Sequence, residues 1–318
     1  MSGVDILAAA PITYAMNNAE LLTAGRLPHM GVIRFIGPDV LSFLQGQISN
    51  DTRRLAQGAP LSAAYSTPQG RVLALVYLLP HSGGTWALLP RELIGDTVAR
   101  LRKFVLRAKV KIDDISDSHP VAGCLTVTAL SERGLPAPGD AGYIEHNGIG
   151  IARVAQTARY WVVGNAESMA NLKFDADAER AWKLADVRAG LPQVYVPTSE
   201  AFVAQMLNLD LLDAISFTKG CYTGQEIIAR TQHLGRIKRR MFRVSLPPGI
   251  WTVGQSIQLA DGRQGRLTEV AGDEHGTEAL AVLNLVGAGD ADVPDATQRP
   301  VDAVEMPLPY SPAAVTSQ

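Results

Sequence analysis

Residues 216–226 read Ser-Phe-Thr-Lys-Gly-Cys-Tyr-Thr-Gly-Gln-Glu. Within them Thr223 and Glu226 have the spacing of a capping box, in which each side chain satisfies the other residue's backbone amide where a helix begins. The apolar Ile227 and Ile228 follow directly. We therefore predict that Cys221 lies just before the N-terminus of a helix.

The surroundings of Cys221 are those of a reactive or ligand-donating thiol. The positive end of a helix and the ammonium of Lys219 both favour thiolate over thiol, and Gly220 and Gly224 leave the sulfur little screened. We predict that Cys221 is the catalytic thiol and Lys219 its activator. The alternative is a small, half-buried thiol in a tight turn, because most cysteines are inert packing.

The same segment resembles the motif of the YgfZ proteins, Lys-Gly-Cys-(Phe/Tyr)-x-Gly-Gln-Glu, and the likeness runs on through Arg230. Residues 43–51, 103–110 and 308–311 also resemble landmarks of that family. YgfZ proteins are folate-binding relatives of the glycine-cleavage aminomethyltransferase (T-protein, GcvT). They support iron-sulfur enzymes, including one that modifies tRNA.

The resemblance implies an α+β fold, with a GcvT-like multidomain body of mixed α/β subdomains and a C-terminal antiparallel β-barrel. We place the folate-binding body at residues 1–235, as two interwoven subdomains with a small α/β layer near 116–180. The barrel is placed at 236–318, where short strands alternate with turns.

The resemblance also implies roles for individual residues. Around the thiol, the positioning set comprises Gly220, Tyr222, Gly224, Gln225, Glu226 and Arg230. The cofactor is expected to be tetrahydrofolate or a derivative. Trp182 matches a tryptophan of the YgfZ folate site, and Met30 stands where a second one is expected. Arg188 stands where T-proteins carry a glutamate that contacts the pterin. On its residues alone, Trp182 is more typical of a hydrophobic core than of a stack on a ligand ring.

Ala74 and Leu75 stand where the T-protein has paired aspartates. Neither side chain can act as a general acid or base on a folate nitrogen. The resemblance therefore predicts a folate-binding protein that is not a working aminomethyltransferase. Two alternatives remain: a folate-dependent one-carbon transferase with a rearranged base, for which Asp51 is the nearest substitute, and a tRNA-binding module.

Composition favours an ordinary soluble protein of two or three domains, since 47% of the 318 residues are hydrophobic and 19% are charged. The longest strongly apolar run, 72–79, is far shorter than the roughly 20 residues that span a bilayer. With no presequence apparent, we expect a cytoplasmic protein without membrane contact. Two cysteines cannot hold a four-thiolate cluster, so no stably bound metal is expected. The resemblance implies that the partners are iron-sulfur enzymes or cluster-assembly factors.

Bases are concentrated between Arg100 and Lys111, with no acid among them. Apolar residues recur there at helical spacing, which predicts that Phe104 is buried while Lys103 and Arg107 lie on an outer face. This face is either simply solvated or a landing site for an anion, meaning a polyglutamyl folate tail or an RNA backbone.

The coarse pattern predicts a strand at 32–36, one helix from Pro38 to Gly58, and strands at 72–79 and 85–89. A further β-like run covers 122–129, residues 148–150 form a hairpin turn, and short strands follow from Met241. We expect the Asp/Ala/Gly/Pro-rich stretch 287–300 to be a mobile loop.

Overall fold

The computed structural model describes residues 23–175, 178–233, 237–273, 275–285 and 301–312. The loop expected at 287–300 lies outside these ranges. The strands are β1 Ala24–Arg26, β2 Met30–Ile36, β3 Leu61–Ser66, β4 Val72–His81, β5 Gly84–Pro90, β6 Lys111–Asp114, β7 Val121–Cys124, β8 Tyr143–His146, β9 Ile149–Arg153, β10 Tyr160–Gly164, β11 Arg239–Leu246, β12 Ser256–Gln258, β13 Gln264–Asp273, β14 Gly276–Asn284 and β15 Val304–Met306. The α-helices are α1 Val40–Gln45, α2 Arg53–Ala56, α3 Ile94–Arg102, α4 Val127–Ser131, α5 Ala166–Met169, α6 Ala178–Ala189 and α7 Gln225–His233.

The first sheet is antiparallel in the order β3-β4-β5-β2-β6. Strand β4, which lies between β3 and β5, is a nearly continuous apolar run whose side chains are buried on both faces through Leu79, except for the half-buried Tyr77. Strands β2, β4 and β5 confirm the predicted strands at 32–36, 72–79 and 85–89. Helix α3 packs against β2 and β6.

The second sheet has the order β1-β7-β10-β9-β8. Its β8–β9 hairpin turns at Asn147 and Gly148, which both have positive φ, 50° and 75°. That is the backbone of a type I′ turn and confirms the predicted hairpin. The β-like run predicted at 122–129 is wrong in its second half, because the Thr126 side chain accepts a hydrogen bond from the Ala129 amide and begins α4 instead.

The third sheet has the order β12-β13-β14-β11-β15, and it contains the strands predicted from Met241 onward. Within the part of the chain that the structure describes, its terminal strands β12 and β15 do not pair with each other, so the predicted closed barrel is not confirmed. A single bridge between Leu259 and Val301 brings the segment before β15 to the end of β12.

The helix predicted from Pro38 to Gly58 is wrong, because it is interrupted between α1 and α2. At the break, the amide and hydroxyl of Thr52 both donate to Gln45 Oε1 at 2.8 Å. Ser49 and Asn50 form their hydrogen bonds with distant parts of the chain. These side-chain and long-range bonds compete with helix continuation.

The third sheet is joined to the rest of the protein by buried polar contacts. Arg240 forms a bidentate ion pair with Asp210, at 2.6 and 2.8 Å, and the exposed fractions of the two side chains are 1% and 4%. Tyr195 donates a 2.6 Å hydrogen bond to Glu269, whose pKa burial raises to about 7. Tyr310 donates to the Gly190 carbonyl at 2.6 Å. In the described ranges, every helix is too short or too polar to cross a bilayer.

Candidate functional site

The two cysteines occupy opposite environments. Cys221 is exposed, as predicted, in the loop that precedes α7, and its thiol is free. Cys124 is a buried free thiol in β7, and burial raises its pKa to about 12. Of the two, only Cys221 can meet a partner molecule from solvent without an opening of the fold.

Lys219 anchors the thiol loop to the rest of the protein. Its side chain is buried, with 6% exposure, and its ammonium donates to the carbonyls of Gln45, Ile48 and Asn50 at 2.7–2.8 Å. Burial lowers its pKa to about 8. The ammonium also lies 4.9 Å from the centre of the Tyr222 ring. The role of Lys219 as an activator of Cys221 stays a prediction.

The predicted capping box is wrong. The Tyr222 amide donates to Gln225 Oε1 at 3.2 Å, and Thr223 instead bonds the Gly46 carbonyl. Glu226 faces solvent and pairs with Arg230 at 2.8 Å, one helical turn on. Gln225 thus takes the positioning role near the helix start, whereas Glu226 and Arg230 form an exposed pair of small energetic value.

Gly224 is required by its place in the fold. It has φ of +84°, and a Cβ built there would lie 2.6 Å from the Thr67 carbonyl oxygen. Gly70, in the turn between β3 and β4, has φ of +72°, and its Cβ would lie 2.9 Å from Ile227. The two glycines therefore let α7 begin in direct contact with this turn. At Gly220 a Cβ would meet no atom within 4 Å.

A hydrogen-bonded network runs from Lys219 to a groove on the first sheet. Asn50, whose carbonyl accepts from Lys219, donates through its side chain to the carbonyls of Ser62 and Asp213 at 2.9 and 2.7 Å. Ser49 donates to the Ala214 carbonyl at 2.7 Å. Ser62 and Ala214 both line the groove, so the thiol loop and the groove wall share one rigid support.

The groove is shallow, because its enclosed volume is only about 20 Å³, which is about the space of one water molecule. Its lining is mostly apolar and consists of Ser62, Leu75, Tyr77, Val154, Ala155, Gln156, Leu191, Pro192, Leu209, Leu212 and Ala214. Leu75 and Tyr77 are two residues apart on β4 and therefore share a face, whereas Ala74 points to the other. Only one of the two positions compared with the aspartate pair thus faces the groove.

The three residues predicted to contact folate lie elsewhere than the groove lining. Trp182, on α6, is 1% exposed, with its ring centre 4.4 Å from that of Trp161. Met30 is buried at the start of β2. Arg188 pairs with Glu278 and Asp273 at 2.8 and 3.1 Å. An aromatic series does connect Trp182 to the groove, since the rings of Trp161 and Tyr77 are 5.5 Å apart.

Tyr77 and Asn50 are the site residues that sequence reasoning did not single out. Asn50 lies in the family-like segment 43–51, which was the available signal for it. Tyr77 stands inside an apolar run that indicates only a buried strand. Among the described residues, no group of three or more His, Cys, Asp or Glu side chains is placed to hold a metal ion.

No family model matches the chain. Comparison with individual known proteins does find relatives. A "tRNA-modifying protein YgfZ" from Colwellia psychrerythraea is 27% identical, over 96% of this chain and 95% of the relative. One from Pectobacterium carotovorum is 30% identical, over 70% and 68%. Among solved structures, the glycine cleavage system aminomethyltransferase T from Bartonella henselae superposes with a TM-score of 0.63 at 15% identity, covering 83% of this chain and 79% of that one. This likeness shows a GcvT-like fold.

Proposed function

The chain belongs to the YgfZ family, and from that premise we propose that it binds a reduced folate and supports iron-sulfur cluster assembly or repair through Cys221. The relatives' description as tRNA-modifying proteins supports a contribution to tRNA modification by way of an iron-sulfur client. We propose that the protein acts in the cytoplasm. Residues 1–235 would form the folate-binding body, and residues 236–318 a barrel closed through the Leu259–Val301 bridge.

The observation that carries the proposal is the exposed thiol on a rigid loop. Lys219 commits all three ammonium protons to backbone carbonyls, and Gly224 seats the start of α7 against the β3–β4 turn. The sulfur of Cys221 is thereby presented to solvent at a fixed place. A thiol in this position can bond a cluster iron, or attack a client's disulfide to form a mixed disulfide and release the client's other sulfur as a thiol, without prior unfolding.

We propose that the folate ring lies over this shallow groove. Its apolar walls offer a surface for a flat ring, and Tyr77 supplies an aromatic face. We propose that Trp182 and Met30 support this site from behind Tyr77, and that Arg188 holds the third sheet against α6. The transferase alternative lacks an acid at Leu75, on the groove side of β4, which is why we favour binding over turnover.

Blocking the groove is expected to abolish folate binding. Ala155 is exposed and lines the groove, so Ala155→Trp fills it without disturbing the core. We expect Ala155→Trp to weaken tetrahydrofolate binding at least about 10-fold in a calorimetric titration, since an indole occupies the ring's place. Ala137→Trp, another exposed alanine outside the lining, is the matched control. Equal affinities of the two variants for tetrahydrofolate would show that folate does not bind at this groove.

Cys221→Ser is expected to eliminate support of iron-sulfur enzymes while leaving the fold intact. Because the side chain is exposed, the free energy of unfolding should change by no more than about 0.5 kcal/mol. The measurement is the activity of an iron-sulfur tRNA-modifying enzyme in cells that lack the protein and receive the variant. Cys124→Ser provides the comparison, and it should retain support to the extent that it folds. Full support by Cys221→Ser would refute the thiol's role, whereas the folate titration would be unaffected.

A further inference from the structure

We propose that the loop after α3 is an RNA-binding surface, in which Lys103, Arg107 and Lys109 contact phosphates and Phe104 stacks on an unpaired base. This goes beyond the proposed function, because it involves neither Cys221 nor the groove. The loop was predicted to continue the helix and bury Phe104, and that prediction is wrong. Helix α3 ends at Arg102, and 49% of Phe104 is exposed.

The surface is apolar at its centre and basic around it. Leu106 is 87% exposed and, with φ of +41°, has a backbone conformation that residues with a side chain rarely adopt. Lys103, Arg107 and Lys109 are all exposed. Residues 97–112 contain six Lys or Arg and no acid, although the whole chain has a net charge of −2. The positive charge is therefore local to this loop.

The loop is held rigidly although it protrudes. The amides of Phe104 and Ala108 donate to the carbonyls of Leu101 and Val105, at 3.0 and 2.7 Å. The Lys109 amide donates to Asp39 Oδ2 at 2.7 Å, so that carboxylate is already bonded to the backbone. Exposure of Phe104 and Leu106 is thus a property of a fixed backbone, and unfavourable φ values of this kind cluster where a surface binds.

Not every base of the segment is available to a ligand. Arg100 pairs with Glu200 and Lys111 with Asp113, both at 3.0 Å. Arg102 donates to the Ile112 carbonyl at 2.6 Å. Lys103 and Arg107, on either side of Phe104 and Leu106, have no side-chain partner among the described residues. Two unpaired cations around one exposed aromatic ring reproduce the elements of single-strand recognition, which are phosphate contacts and base stacking.

RNA fits this surface better than a membrane or a protein does. Phe104 and Leu106 are the large apolar side chains exposed here, and two such residues bury too little area for a stable protein interface. The exposed apolar area is limited to Phe104 and Leu106, which is less than the apolar face that an amphipathic helix buries in a bilayer surface. The unpaired cations Lys103 and Arg107 beside an exposed ring match a polyanion that carries bases.

Binding of an unmodified tRNA transcript, followed by fluorescence anisotropy at 50–200 mM salt, tests the proposal. Phe104→Ala should weaken binding about 5- to 150-fold, the range for loss of one stacked base, whereas Phe104→Tyr should retain it. The double variant Lys103→Ala/Arg107→Ala should weaken binding to any RNA and reduce the slope of log K against log salt by about 1.4–1.8. Leu106→Gly should stabilise the fold and still weaken binding.

Arg26→Ala/Lys173→Ala removes the same charge from exposed positions near the second sheet and is the matched control. All variants should bind tetrahydrofolate as the wild type does, which separates this surface from the groove. The proposal is overturned if Phe104→Ala binds RNA normally, if the control loses as much affinity as Lys103→Ala/Arg107→Ala, or if anionic lipid vesicles bind the wild type while the transcript does not.

Discussion

Lys219→Met is expected to lower the free energy of unfolding by about 2–4 kcal/mol, measured by urea denaturation. The substitution removes the donor of three buried hydrogen bonds and leaves the carbonyls of Gln45, Ile48 and Asn50 without it. Each buried acceptor left unsatisfied costs about 1–3 kcal/mol. Part of this loss is offset, because the variant no longer buries a charged ammonium. Lys173→Met, at an exposed lysine, should change stability by less than about 0.5 kcal/mol.

The pH dependence distinguishes this lysine from others. Burial lowers the pKa of Lys219 from 10.5 to about 8. Between these values the unfolded chain holds a proton that the folded protein has released, so this group's contribution to stability increases as pH rises. The slope is at most about 1.4 kcal/mol per pH unit. Lys219→Met should flatten the profile from pH 8 to 10.5, and an unchanged profile would contradict the buried ammonium.

Arg240→Met is expected to cost about 3–5 kcal/mol, because it leaves Asp210 as an unpaired charge in the interior. The guanidinium also donates to the Gln205 carbonyl at 2.9 Å, so a further acceptor loses its partner. Thermal and urea unfolding of the purified variant measure the loss. Arg230→Met is the matched control, because its i,i+4 pair with Glu226 is exposed and should contribute about 0.3–0.5 kcal/mol.

A double-mutant cycle shows whether the cost belongs to the pair. Asp210→Leu removes the carboxylate that Arg240→Met leaves unpaired, so the double variant should be more stable than Arg240→Met alone. Additive losses would mean that the two side chains do not interact in solution. The cycle also reports on the attachment of the third sheet, since Asp210 precedes it and Arg240 lies in β11.

Sequence reasoning succeeded where local pattern and tertiary structure agree. Strand β4 is long and apolar, and the turn at Asn147 and Gly148 has residues that tolerate positive φ. Strand β3 was missed, because its Leu-Ser-Ala-Ala-Tyr-Ser sequence has little β propensity and depends on pairing with β4. The helix predicted from Pro38 failed because Ser49 and Asn50 bond residues more than 160 positions away.

In the candidate site too, sequence reasoning found the features that depend on local sequence and missed those that depend on long-range contacts. The motif identified Cys221 and Gly224, and the positive φ of Gly224 is a local requirement, although its close approach to Thr67 depends on the fold. It did not reveal that Lys219 bonds Gln45, Ile48 and Asn50, because these bonds depend on where the chain returns. The capping box failed for the same reason, since Thr223 bonds the distant Gly46 carbonyl. The groove is assembled from Ser62, Leu75, Leu191 and other separate segments, which no spacing rule in a single sequence brings together.

The contacts between the third sheet and the body impose an order on biosynthesis. Arg188 and Asp210 are translated before Glu278 and Arg240, with which they pair. At about 5–20 residues per second, the ribosome needs about 4–15 s to proceed from Asp210 to the end of β14. For that interval the nascent body carries charges that it cannot bury. Chaperones and proteases therefore meet an incomplete protein whose last folding step waits for its C-terminal strands.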